Sequence, residues 1–123
     1  MSKAKVLVVD DSSTVRQQVS LALTQAGFDV MEAVDGVAGA EAIAGNDDIN
    51  MVICDVNMPR MNGLEMLEKV KAEEKNKKLP ILMLTTEGQP ALIQKAKKAG
   101  AMGWIVKPFK AELLVAAVKK LTA

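Results

Sequence analysis

Three carboxylates and one ammonium stand at the ends of short apolar runs. Asp10 and Asp11 close VLVVDD, Asp55 closes MVICD, Thr85 closes ILMLT and Lys107 closes GWIVK. Asp is a poor strand former, and two adjacent anions repel unless something positive lies between them. Oxygen-only ligands of this kind suit a hard divalent cation such as Mg²⁺, which takes one or two carboxylates together with waters and phosphate oxygens. Such an ion also relieves the repulsion. A carboxylate is ionised at neutral pH and needs no base to act as a nucleophile; aspartyl phosphates are established covalent intermediates. In-line phosphoryl transfer asks chiefly for positioning and for positive charge around the equatorial oxygens. Mg²⁺ and Lys107 would supply the charge, and the Thr85 hydroxyl a hydrogen bond to a phosphoryl oxygen. The chain contains no histidine, which removes histidine bases, Ser-His and Cys-His pairs and the commonest transition-metal ligand.

These residues need a scaffold that brings the strand ends together. Apolar runs at residues 5–9, 29–33, 51–55, 81–85 and 103–107 alternate with amphipathic stretches at 12–26, 36–44, 63–74, 89–99 and 110–121. Val15, Val19 and Leu23 recur at four-residue spacing, and Leu64, Leu67 and Val70 at helical spacing. Ser12 or Ser13 reads as an N-cap, and Gly27 and Gly100 as C-terminal stops. Five strand–helix repeats predict an α/β fold, a parallel sheet covered on both faces. The first, third and fourth strands are almost wholly apolar, as doubly covered strands should be. DVMEA is more polar and is the edge candidate. In open sheets of this class the ligand site lies beyond the strand ends, where strand order reverses. An order of 2-1-3-4-5 would let Asp10, Asp11, Asp55, Thr85 and Lys107 meet in one cleft. The charged run KAEEKNKK, residues 71–78, is expected to be the frayed, solvated end of the third helix and its loop.

The totals restrict the classes further. A chain of 123 residues is expected to form one domain, and the five units consume it. A net charge of +1 gives no strong field toward nucleic acid or acidic lipid. No apolar run approaches the roughly 20 residues of a membrane helix, and MSKAKVLVVDD is not a signal peptide. One cysteine, Cys54, excludes an internal disulfide framework and fits a reducing cytoplasm. It reads as a small buried residue, and the eight methionines as core filler, with Met58 and Met61 close enough to the cleft to be exposed.

The motifs VLVVDDS, DVNMPRMNG (residues 55–63), LTTEG (84–88) and KPF (107–109) occur in this order, each at a strand end. Over essentially its whole length the chain resembles a two-component response-regulator receiver domain of the stand-alone, CheY-like kind. The resemblance implies a (βα)5 doubly wound sheet of five parallel strands in the order 2-1-3-4-5, as in flavodoxin and CheY, with residues 1–123 a single receiver domain and no output domain. It implies Asp55 as phosphoacceptor and Mg²⁺ held by Asp11, Asp55 and the Asn57 backbone carbonyl, with Asp10 acting mainly through water. Thr85 would follow the phosphoryl group, Lys107 would pair with it, and the Lys107–Pro108 bond would be cis. Asn57 and Glu87 match positions that tune self-dephosphorylation.

The implied partners are a sensor histidine kinase and a target protein, the latter on the helix 4–strand 5–helix 5 face; no nucleic acid and no membrane are implied, and the chain would be a cytoplasmic monomer. Lys95, Lys97, Lys98, Lys119 and Lys120 are either solvated helix faces or part of that output face. The implied role is a signalling module, not an enzyme beyond its own phosphorylation and dephosphorylation, with chemotaxis the expected pathway and a phosphorelay intermediate or phosphate sink as the alternative. One position departs from the family: the switch residue, usually Tyr or Phe, is Trp104. Indole is larger and needs a partner for its N–H when buried, so either the switch is partial or Trp104 stays outward on a partner surface. Ser12 stands where some relatives carry an aromatic residue, which would open the site to small donors.

Three other readings compete. An aspartate-nucleophile phosphatase carries its nucleophile on the first strand, with a second acid in D-x-D spacing or a cap; here the acids are adjacent and no cap is inserted. A flavodoxin-like cofactor binder expects a Ser/Thr/Gly-rich phosphate loop and stacking aromatics, whereas DDSSTV is acidic and only Phe28, Trp104 and Phe109 are aromatic. A receiver that signals without phosphate is disfavoured because the site residues are all present.

Overall fold

The computed structural model describes residues 3–56, 61–85 and 90–122. Five strands, β1 (Lys5–Val9), β2 (Asp29–Ala33), β3 (Met51–Asp55), β4 (Ile81–Thr85) and β5 (Gly103–Val106), alternate with five helices, α1 (Ser13–Gln25), α2 (Gly36–Gly45), α3 (Gly63–Lys71), α4 (Pro90–Ala99) and α5 (Ala111–Thr122). Every strand pair is parallel, and the order is β2-β1-β3-β4-β5. The predicted sheet and its order are those found.

Side chains on a strand alternate between faces, and the core divides accordingly. Leu7, Val9, Val52, Cys54, Ile81 and Met83 face one layer, met by Ile43 of α2, Met66, Leu67 and Val70 of α3 and Ala96 of α4. Val6, Val8, Met51, Ile53, Leu82 and Leu84 face the other, met by Val19 and Leu23 of α1 and Leu114 and Val118 of α5. β3 and β4 are buried at every residue, while β2 and β5 are only partly covered. The polar DVMEA segment is an edge because an edge strand tolerates Asp29 and Glu32 at exposed positions. Burying one such aliphatic side chain stabilises by about 1.5–3 kcal/mol, so the central strands are held rigidly and their ends with them.

Helix starts are set locally. Ser12 caps α1 by accepting from the Val15 N–H at 3.3 Å. Asp35 caps α2 through Ala38 at 2.8 Å, and Asn62 with Glu65 forms a reciprocal capping box on α3. Gly27, just past α1, takes φ +97°, a conformation that favours glycine.

Two boundaries differ from the sequence expectation. β5 ends at Val106, and Lys107 lies just beyond it, its N–H donating to the Thr85 carbonyl at 2.6 Å. The 71–78 run is not frayed. α3 stops at Lys71 and is followed by a 3₁₀ turn, Glu74–Asn76, whose Asn76 is buried and donates from Nδ2 to the Val70 carbonyl at 3.2 Å. The Lys71 ammonium donates to the carbonyls of Asn76 and Lys77, each at 3.1 Å, and of Leu79 at 2.5 Å. It thereby satisfies backbone acceptors that a frayed end would leave to water. The expected start of α4 at Gln89 lies outside the described residues. Among the described residues no helix is long and apolar enough to cross a membrane.

Candidate phosphoacceptor site

The ladder registers level the strand ends. Val9 pairs with Cys54, Cys54 with Met83, Asp55 with Leu84 and Thr85 with Val106. Asp10, Asp55, Thr85 and Lys107 therefore emerge at one edge of the sheet. Carboxylate oxygens of Asp10, Asp11 and Asp55 all lie within 4.8 Å of one another. Asp10 is fully buried, Asp55 is 5% exposed and Asp11 is exposed, so the cluster has a closed floor and an open mouth.

Lys107 is the cation that faces them. Its Nζ stands 3.0 Å from Asp10 Oδ2 and 3.3 Å from Asp55 Oδ1. Asp10 is held on several sides: Oδ1 accepts from the Ser12 N–H at 2.9 Å, and its own N–H donates to the Ala33 carbonyl at 3.1 Å. Burial, then the charge of Asp10, pushes the Asp55 carboxyl above its usual range against the opposing pull of Lys107. Burial alone would lower the Lys107 ammonium, but its hydrogen bond to Asp10 and the two carboxylate charges outweigh that and raise it. One ammonium facing three carboxylates leaves excess negative charge beside an open mouth. A divalent cation fits this donor set, since every ligand atom offered is a carboxylate oxygen.

The acceptor end of β3 is shaped by a close approach. Gly63, the first residue of α3, lies so near the Asp55 carbonyl that an added Cβ would collide with its oxygen. The Gly63 N–H donates to the Val56 carbonyl at 2.9 Å, pinning the return of the chain. Gly36 is similarly pressed on the Met61 carbonyl, and its N–H donates to it at 3.1 Å.

A family model for the response regulator receiver domain matches residues 6–119. The chain belongs to the response regulator receiver family. It is 49% identical over 111 residues to a chemotaxis protein CheY homolog of Campylobacter jejuni, covering 89% of this chain and 85% of that one. It is 47% identical to the chemotaxis protein CheY1 of Helicobacter pylori, covering 89% of this chain and 90% of that one. A solved structure of the chemotaxis protein CheY4 of Vibrio cholerae superposes with a TM-score of 0.92 at 42% identity, covering 98% of this chain and 99% of that one. As a receiver domain the chain is a phosphorylation-activated signalling module.

Of the residues singled out in the sequence, this receiver domain brings Asp10, Asp11, Asp55 and Lys107 into contact range, with Thr85 fully buried at the adjoining strand end. The Lys107–Pro108 bond is cis. Asn57, Met58 and Glu87 lie outside the described residues. Trp104 is not at the acid cluster: it pairs with Met83 across the ladder and packs half-buried against the α2–α3–α4 layer. Its Nε1 is buried and finds no hydrogen-bond partner among the described residues. Cys54 is fully buried, and burial, with the charges of Asp55 and Asp10, pushes its thiol up, so it stays protonated and unreactive.

Sequence reasoning passed over Arg16. Its Nη1 donates to the Asp10 carbonyl at 2.6 Å, and its Nε to Glu32 Oε1 at 3.2 Å. The available signal was a cation in the first turn of a helix that begins at the acid pair, an electrostatically unfavourable place.

Proposed function

We propose that this receiver domain, residues 1–123, takes a phosphoryl group from the phosphohistidine of a sensor histidine kinase onto Asp55 in a Mg²⁺-dependent reaction. The phosphorylated form then binds a target protein in a chemotaxis pathway. The observation that carries the reading is the Asp55 carboxylate, nearly buried at a strand end, 3.3 Å from the Lys107 ammonium and within 4.8 Å of two further acids. In the transfer an Asp55 oxygen attacks phosphorus, the bond from phosphorus to the histidine nitrogen breaks, and the imidazole leaves with the electron pair. Lys107 gives up part of its interaction with Asp55 and follows the charge onto the phosphoryl oxygens. Thr85, at the end of the next strand, is the candidate donor to one of those oxygens. Asp10, Asp11 and Asp55, with Asn57, would hold Mg²⁺, which when bound supplies positive charge to the equatorial oxygens. Catalysis is limited to the domain's own phosphorylation and dephosphorylation, tuned by Asn57 and Glu87.

A groove lined by Val15, Gln18, Pro108 and Phe109 opens beside Lys107 and offers the donor an approach. The output surface is α4–β5–α5. Met102, just before β5, is 53% exposed, and Val106, on the strand side of Trp104, is 45% exposed. An apolar strip on an edge strand, flanked by helices carrying exposed Lys95, Lys97, Lys98, Lys119 and Lys120, suits an amphipathic partner with acidic residues. The expected species is a cytoplasmic monomer.

Intact-mass measurement after incubation with acetyl phosphate tests the acceptor. A gain of one phosphoryl group is expected that requires Mg²⁺ and is absent in Asp55→Asn. Trp104 is the only tryptophan, so intrinsic fluorescence recorded in parallel reports whether the switch position responds. A gain that survives in Asp55→Asn would move the acceptor elsewhere.

A further inference from the structure

Arg16 occupies the first turn of α1, which contains no acidic residue and where a cation opposes the helix dipole. A guanidinium buried to 15% side-chain exposure is costly unless its donors are paired. Here the fork is split: Nε faces Glu32 on the edge strand, and Nη1 grips the carbonyl of Asp10. That carbonyl belongs to the peptide joining Asp10 to Asp11. Asp10 is already tied through Ala33, Ser12 and Lys107. Asp11 is exposed, and the direction in which it leaves the backbone follows from the plane of the peptide that Arg16 holds.

We propose that Arg16 is a positioning residue for the divalent cation: by holding the carbonyl of the Asp10–Asp11 peptide, it aims the Asp11 carboxylate into the acid cluster. The inference rests on the Mg²⁺ reading above. Arg16 touches none of the three carboxylates; it acts through a backbone carbonyl, as residues behind metal ligands commonly do. Lysine is a poor substitute, because one compact ammonium cannot hold a carbonyl and a carboxylate in the fixed fork geometry of a guanidinium.

The bland alternative is a staple between α1 and β2 that adds stability and nothing else. The two separate on a metal readout. Thermal unfolding by circular dichroism, recorded across a MgCl₂ series, yields an apparent Mg²⁺ affinity from the rise of Tm with ion concentration. The full chain is compared with Arg16→Met, Arg16→Lys and Glu32→Gln. Arg16→Met is expected to weaken Mg²⁺ affinity by about 10-fold, the lower end of the range for residues that orient metal ligands. Arg16→Lys should fall between it and the wild type. Glu32→Gln breaks the same ion pair but leaves the carbonyl clamp, and should stay within about twofold of wild type. The Mg²⁺ concentration needed for half-maximal mass gain from acetyl phosphate should shift in parallel.

A lower Tm for Arg16→Met with unchanged Mg²⁺ affinity would make it a staple and overturn the inference, as would Glu32→Gln weakening the ion equally. A wild-type Tm flat in Mg²⁺ would overturn the metal reading and this inference together, whereas a responsive wild type matched by Arg16→Met would overturn this one alone. Should Arg16→Met not fold, Arg16→Lys decides: unchanged affinity overturns the inference, and a loss of about threefold or more upholds it.

Discussion

Replacing Lys107 by methionine keeps most of the side-chain length and removes only the charge. At an effective dielectric near 20, a charge pair 3.0–3.3 Å apart attracts by roughly 5 kcal/mol. Much of that is offset by the cost of taking all three groups out of water. What remains visible on mutation is the penalty of leaving an anion buried without its partner, typically about 3–5 kcal/mol. Asp10 has no exposed side-chain surface and cannot turn outward to water; Asp55 is 7% exposed at its side chain. The metal-free Lys107→Met protein is therefore expected to lose about 3 kcal/mol at pH 7, a large share of the roughly 5–15 kcal/mol typical of a domain. Urea unfolding followed by far-ultraviolet circular dichroism measures it. A saturating divalent cation should restore part of the loss by replacing the missing positive charge. In an Asp10→Asn background the same substitution should cost at least about 1.5 kcal/mol less, because the two residues share one interaction. The sign with pH also follows. Because the folded ammonium is raised above its ordinary 10.5, its contribution is fully present below that value and is lost as pH rises through the folded one. A loss under about 1 kcal/mol, or equal losses in the two backgrounds, would refute the argument that Lys107 neutralises a buried acid.

Asp55 follows the same direction with pH, but its removal has the opposite effect on stability at neutral pH. Its folded carboxyl is raised above 3.8, so without metal the folded state holds that proton more tightly than the unfolded chain. Its contribution falls as pH climbs from 3.8 through the folded value; Asp55→Asn should remove this slope and be the more stable protein at pH 7 without Mg²⁺, as read by urea midpoints across pH. Gly63→Ala should cost about 1–3 kcal/mol and slow Mg²⁺-dependent mass gain, since the methyl group would displace the Asp55 carbonyl. Asn76→Ala should cost about 0.5–1.5 kcal/mol by removing the buried amide's bond to the Val70 carbonyl, which still accepts from the Glu73 N–H, while the rate of mass gain stays unchanged because the turn lies away from the acid cluster.

Much of the architecture was legible because its signals are local. VLVV, MVIC and ILML are continuous apolar runs and became the three central strands; DVMEA, with its two acids, became an edge. Ser12, Gly27 and Gly100 mark helix ends through bonds within a few residues of themselves. The 71–78 run is solvated, as its composition predicts, but it is ordered instead of frayed, because Lys71 and Asn76 turn their polar groups inward onto carbonyls that no composition count sees. Arg16 was missed for a related reason: its worth lies in a carbonyl six residues back and a glutamate on another strand.

The sequence by itself determined which residue types stand at the strand ends, and hence the chemistry open to this protein. Strand alternation and helical periodicity are properties of neighbouring residues, and a carboxylate at the end of an apolar run stays at the end of the strand that run forms. Only the tertiary structure decided that these ends converge. The β2-β1-β3-β4-β5 order makes β1 and β3 neighbours and brings Lys107 to within 3.0 Å of Asp10, 97 residues earlier in the chain. Distance and burial set how strongly those charges act on each other, and both are fixed by sheet order and register, which no short stretch of residues encodes.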